Sequence, residues 1–382
     1  MSLSTLLNRT LGDPLHAARS GRAIGYLGWD VPVELILAAD AAPVQLGALP
    51  LSVDATLAER FLENSFSAQS RVVAHRWLAG DLDALEAVIF SRSDDNAQRL
   101  YYYLCELQRM GDCRGPRPLL YDLARIQRGT SMAHTIESTR ALAVAVGVDE
   151  SRLSAAMERV AARERWLGEL AKVRWADDVP LGSVAYQVER GARADWSEEF
   201  DRSLQAWLAS PPLVRPRRRV LLVGSVPPDE HVHAAIESDG FVVVGEINEA
   251  MSTASIGLEA TRARQSASHS DESAPVSNLD SGLGSSSPLE NVALGRYEQT
   301  NASNMLLQSP EDIVMAARAL RADGIVVWML ATDTGLAWEA PRIERALREA
   351  SLPTLMLTSQ PQTLSAEALA EIAQFRRTLE VR

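Results

Sequence analysis

GRAIGYLGWDVPVELILAADAAPVQLG, Gly21 to Gly47, is the stretch whose reading decides the fold. RAIGYL reads as a short buried strand and GWDVP as a tight loop. Pro32 stands at or just inside a helix start, VELILAAD is that helix, and APVQL is a second strand. A strand running through a short loop into a helix and then another strand is the βαβ grammar of an open parallel sheet. Ligands of such sheets sit beyond the carboxyl ends of the strands, which places Gly28, Trp29, Asp30 and Glu34 where chemistry is expected.

The same grammar recurs along the chain. EAVIF is a strand, followed by a polar loop and a helix starting near Asp95 or Asn96, either of which can cap its first turn; PRPLLYDL is a further strand. From Ser131 to about Trp207 the apolar spacing is helical, through Leu153, Met157, Val160, Leu167 and Leu170. Trp166, Trp175, Trp196 and Trp207 are packing anchors in this reading. RVLLVG and FVVVGEI begin a second α/β unit, and ADGIVVWMLATD and SLPTLMLTSQ add two more strands. The expected organisation is a lead-in helix or arm at 1–20, a first α/β domain at 21–125, a helical connector at 126–215 and a second α/β domain at 216–382. The fold class is α/β, with two open parallel Rossmann-like or flavodoxin-like sheets facing a central cleft. A Ser-, Asp- and Gly-rich run at about 262–288 is expected to be a flexible insertion, either a lid or a surface loop.

Bulk composition excludes several classes. The 382 residues carry a net charge of -12, a field that attracts neither nucleic acid nor an anionic membrane, and RPRRR at Arg215–Arg219 is too short to reverse it. No apolar run is long enough to span a bilayer, and MSLSTLLNRT lacks the features of a secretory leader. Cys105 and Cys113 are the two cysteines, so no disulfide scaffold is expected and a reducing, cytoplasmic setting follows.

Three polar clusters stand where strands end: Gly28-Trp29-Asp30, Ser91 to Asp95, and Thr332-Asp333-Thr334. Asp94 and Asp95 adjoin, so they read either as a carboxylate pair sharing a proton or a hard cation, or as helix caps. His231 and His233 point apart on a helix and lack a third ligand. Ser225 in GSVPP lies beyond a strand, within reach of a phosphate or carboxylate, without a glycine-rich phosphate loop around it.

GYLGWDVPVELILAADAAPVQL, FSAQSR, DDNAQRLYYYL, PLENVALGRY and ADGIVVWMLATDTGLAWEAPRIERAL, in this order, resemble the 2-hydroxyacyl-CoA dehydratase and benzoyl-CoA reductase subunit family over roughly residues 20 to 360. The resemblance implies two α/β domains per subunit, two related subunits paired, an acyl-CoA substrate and an ATP-dependent activator that delivers one electron. It also implies a [4Fe-4S] cluster between the domains, held in cluster-bearing members by three cysteines. Matching the surrounding residues puts those positions at Ser67, Asp94 and Thr332, none of them a cysteine. Hydroxyls and a carboxylate are hard donors and poor substitutes for thiolate, so this chain itself is expected to bind neither cofactor nor metal.

Three functions remain open on this basis. The first is a cluster-free subunit supporting a cysteine-bearing partner in a heteromeric dehydratase-like or reductase-like enzyme. The second is a standalone non-redox enzyme acting on an acyl thioester through Asp94, Asp95 or Asp333. The third is a non-catalytic acyl-CoA binding or regulatory protein. In the enzymatic readings Trp29, Asp30 and Glu34 line the substrate pocket, Trp29 either stacking on the ligand or packing, while Arg71 and Arg92 either contact phosphates of coenzyme A or are surface residues.

Overall fold

Two four-stranded parallel sheets with the same strand order form the frame. The structure is a computed structural model, and it describes residues 1–51, 55–124, 126, 128–250 and 287–381. Most of the expected insertion at 262–288 therefore lies outside the described residues.

The first sheet contains β1 (Ala23–Leu27), β2 (Ala42–Gln45), β3 (Ala87–Ser91) and β4 (Arg117–Tyr121), ordered β2-β1-β3-β4. The second contains β5 (Arg218–Gly224), β6 (Phe241–Ile247), β7 (Gly324–Leu330) and β8 (Thr354–Gln360), ordered β6-β5-β7-β8. Every pairing is parallel. Parallel strands need crossovers and end up covered on both faces, so they read as unbroken apolar runs. AIGYL and AVIFS are buried at every position. Each sheet accordingly has two cores, one holding Leu27, Val88 and Phe90 and the other Ile24, Ile36 and Ile89 in the first half. Leu221, Val223 and Ile325 face one core of the second half, and Val220, Leu222 and Trp328 the other.

The helices are α1 (Leu3–Gly12), α2 (Val33–Ala38), α3 (Thr56–Glu59), α4 (Ala68–Leu78), α5 (Asp95–Met110), α6 (Gly129–Val146), α7 (Glu150–Val173), α8 (Gly182–Ala194), α9 (Glu198–Ala209) and α10 (His231–Ile236). After the undescribed segment come α11 (Pro288–Gln308), α12 (Pro310–Ala319), α13 (Thr334–Glu349) and α14 (Ala366–Glu380). Helix α5 starts at Asp95, as the sequence leads one to expect, though neither Asp95 nor Asn96 is its cap. Asp94 is the cap, accepting from Ala97 N at 3.2 Å, and Gly111 in the left-handed region ends the helix.

The connector has its own core. Leu6 and Leu7 of α1, Leu167 and Leu170 of α7, Val188 and Ala192 of α8, and Phe200 and Leu204 of α9 pack together. Residues 1–20 are thus anchored by α1 against the connector. Although α11 comes from the second half of the sequence, it packs along α6, and its Val292 enters the core of the first sheet.

In both sheets the chain turns to opposite sides after the central strands, β1 against β3 and β5 against β7, which creates a crevice at the carboxyl ends. A glycine follows or ends the first strand of each half: Gly28 with φ 120° and Gly224 with φ 126°. A Cβ on Gly28 would lie 2.2 Å from Ser91 Cβ, and one on Gly224 2.1 Å from Trp328 O. Gly224→Ala is therefore expected to destabilise the protein by at least about 1–3 kcal/mol in urea titration. Gly168, in α7 with open space around its Cα, provides the contrast. Gly168→Ala should stabilise by about 0.5–1 kcal/mol in the same titration.

Candidate functional site

The crevices of the two sheets meet in one cleft of about 390 Å³. From the first half come the loop after β1 with Trp29, the end of β2 with Gln45, and the starts of α4 and α5; from the second come Ser225 and the start of α13. Tyr186 and Arg190 of α8 complete the wall.

Of the residues singled out from sequence, Trp29, Ser67, Asp94, Asp95, Ser225, Thr332 and Asp333 all line this cleft. Their hydrogen bonds show what they are already doing. Ser67 Oγ accepts from Ser70 N at 3.2 Å and donates to Ser70 Oγ, while Ser67 N donates to Asn96 Oδ1 at 3.0 Å. Asp94 caps α5, and Asp333 caps α13 through Leu336 N at 3.2 Å. The other Asp333 oxygen accepts from Ser225 Oγ at 2.9 Å, and that hydroxyl accepts from Leu330 N at 3.0 Å. Asp95 is largely exposed and lies 3.8 Å from Arg99, so the adjoining carboxylates are engaged separately. Three helices thus start at the cleft, each with one of its N-terminal N–H groups capped by a short polar side chain.

The other four candidates sit elsewhere. Asp30 is buried behind the wall, where it accepts from Ser93 Oγ at 2.5 Å, and Ser93 rather than Asp30 reaches the cleft. Glu34 faces inward to a buried ion pair with Arg296 of α11, at 2.7 and 2.8 Å. A carboxylate in the first turn of a buried helix needs a cation, and α11 supplies it. Arg71 donates to the main-chain oxygens of Glu63 and Phe66, and Arg92 pairs with Asp122, which also lies 3.0 Å from His134. Neither arginine lines the cleft. The two histidines of the HxH pair do diverge: His231 is exposed beside Asp229, and His233 is wholly buried.

His233 belongs to a buried charge network that leaves little trace in the sequence. Its Nε2 lies 3.0 Å from Glu246 Oε1, and Tyr186 stacks on its ring at 4.4 Å. Arg174, at the end of α7, lies 3.4 Å from Glu246 and 3.5 Å from Glu189 of α8 and donates to Val243 O. Burial and the neighbouring Glu246 push the Glu189 carboxyl up to about 7, with Arg174 opposing them. Burial acts to raise Glu246 as well, but His233 and Arg174 outweigh it and hold that carboxyl low. The one sequence mark of this network is the acid in the otherwise apolar strand FVVVGEI. Glu189 and Arg190 sit in a helix of the connector, where strand-end reasoning does not look.

As iron–sulfur ligands the cleft residues do not fit. Ser67, Asp94 and Thr332 are brought to one cleft, but they offer two alcohols and a carboxylate, and Ser67 and Asp94 are spent on capping. Among the described residues no group of three or more His, Cys, Asp or Glu side chains is placed to hold a metal ion. No helix among them is long and apolar enough to cross a membrane.

Two open parallel sheets meeting at their carboxyl ends over a polar cleft define a two-lobed α/β protein. Residues 28–375 match the family model described as "2-hydroxyglutaryl-CoA dehydratase, D-component", and the chain belongs to that family. No curated protein matches it.

The buried charges make two outcomes measurable. Glu34→Ala leaves Arg296 uncompensated and should cost about 3–5 kcal/mol of unfolding free energy in urea titration. Glu189 carries a folded-state value raised above the usual 4.5, so the native state holds the extra proton between the two values and stability falls as pH rises through that window towards 7. Measured across it, the Glu189→Gln protein should show a flatter pH dependence than the wild type.

Proposed function

We propose that this chain is the cluster-free subunit of a heteromeric 2-hydroxyacyl-CoA dehydratase-like or acyl-CoA reductase-like enzyme, paired with a related subunit that carries the cysteines and the [4Fe-4S] cluster. The observation that carries the reading is the cleft at Ser67, Asp94 and Thr332. The backbone there brings the three positions together, while their side chains supply hydroxyl and carboxylate oxygens, those of Ser67 and Asp94 engaged in capping, in place of soft ligands.

In this role the chain contributes shape and recognition rather than electrons. Its cleft holds or orients part of the acyl-CoA ligand, and the radical step, driven by an ATP-dependent activator, belongs to the partner. Asp94 and Asp333 are bound to helix N–H groups and Asp95 is exposed, an arrangement that favours this reading over independent acid–base catalysis by these carboxylates. Two free cysteines and no disulfide among the described residues support a reducing, cytoplasmic setting.

Anaerobic purification of the tagged chain from its native cells, with iron and sulfide analysis, tests the proposal. The expected result is a second subunit of related sequence containing three cysteines at the matching positions, with iron stoichiometric to that subunit. A homogeneous isolated chain that itself carries a stoichiometric cluster overturns it, and so does failure to recover a related subunit after mild cross-linking.

A further inference from the structure

Beside the main cleft lies a side chamber of about 30 Å³, sharing Trp29, Gln45, Tyr186, Arg190 and Val226 with the cleft wall. A water needs roughly 10–15 Å³ of such space, so the chamber takes about two oxygen-sized atoms.

Its polar lining is unusual in one respect. Gln45 is only 6% exposed, yet its carboxamide makes no hydrogen bond to any described residue. It lines the cleft, this chamber and a third small cavity behind Trp29. Its amide atoms face the cavity space, so whatever occupies the cavity meets their hydrogen-bonding need. Arg190, half-buried, is the second polar group of the lining. It packs over the Tyr186 ring and has no carboxylate partner among the described residues. Glu189 is the third lining group, and Arg174 behind it is shared with Glu246.

We propose that this chamber is a carboxylate-binding subsite of the cleft, in which Arg190 pairs with the ligand's carboxylate, Gln45 donates an amide N–H to it, and the Glu189 carboxyl forms the third polar side. The two oxygens of a carboxylate match the two oxygen-sized places. The guanidinium fork and the planar carboxylate are geometrically complementary. Trp29, Val226, Ala48 and Ala250 give apolar walls that strengthen these bonds by excluding water. The inference rests on reading the cleft as a ligand site and does not need the partner subunit.

Carboxylate binding is proton-linked in this arrangement. Around Glu189 stand Arg190 and Arg193 on its own helix, Arg174 from α7, Glu246 from β6 and His233 from α10. Arg193 lies 3.6 Å from Glu164, leaving Arg190 as the cation open to a ligand. Above the titration of Glu189 near 7 the subsite holds a second anion and repels the ligand.

The test uses the isolated full-length chain, isotope-labelled at tryptophan, with acetate as the probe. The Trp29 indole signal, assigned with Trp29→Phe, is followed against acetate, acetamide and inorganic phosphate. Acetate should give a saturable shift and the other two none. Arg190→Met should weaken acetate roughly tenfold or more, and Arg190→Lys should restore part of the loss. Wild-type affinity should fall by up to about tenfold per pH unit above the Glu189 titration, and Glu189→Gln should keep binding while losing that dependence. An unsaturable acetate response, equal response to acetamide, tighter binding of phosphate, or unchanged affinity in a folded Arg190→Met protein overturns the assignment. So does a pH dependence that survives in Glu189→Gln. Loss of this site leaves the copurification result untouched, and absence of a partner leaves the acetate result untouched.

Discussion

The free N–H groups at the start of a helix have to be satisfied, and this requirement governs the centre of the molecule. In a parallel sheet every crossover helix starts near the carboxyl end of a strand, so α4, α5 and α13 all begin at the same cleft. Ser67, Asp94 and Asp333 meet the requirement with their own side chains. Side chains committed in this way have a fixed place in the wall of the cleft. At two of the three positions matched to cluster ligands, Ser67 and Asp94, the side-chain oxygens are already engaged in capping.

The opposite wall is built on different physics. Arg174, Glu189, Glu246 and His233 come from a helix end, a helix, a strand and a short helix, and they tie the connector to the second sheet through a buried charge cluster. Buried charges contribute little net stability, but each is costly to strand, so the cluster fixes how α8 lies against β6. That placement sets Tyr186 and Arg190 at the cleft. On the first half Glu34 and Arg296 do the corresponding work, fastening α11 under the loop that carries Trp29.

Legibility in the sequence followed the range of the interactions. The strands could be read because parallel strands covered on both faces are continuous apolar runs, as in AVIF and VLLVG. Cleft residues at strand ends, such as Trp29, Ser225 and Asp333, could be placed by topology alone. Glu34 could not, because the residue that turns it inward lies 262 positions further along the chain. Arg71 and Arg92 stand close to strand or helix ends, yet local oxygens claim them before any ligand can. Gln45 ends a strand and was legible in principle; Arg190 comes from a helix whose place at the cleft is decided by tertiary packing. The start of α5 at Asp95 could be read as well, but its cap could not be singled out, since Asp94, Asp95 and Asn96 are all competent.

The paired glycines have one more consequence. Gly28 and Gly224 bring the loops of the two halves into the cleft by the same backbone device, so the two walls start from equivalent geometry. The residues next in the chain differ: an aromatic residue backed by a buried acid on one side, and a hydroxyl with two prolines close behind it on the other. The backbone is close to symmetric while the surface is not. A ligand entering the cleft therefore meets a space with a head and a tail, and can be held in a single orientation.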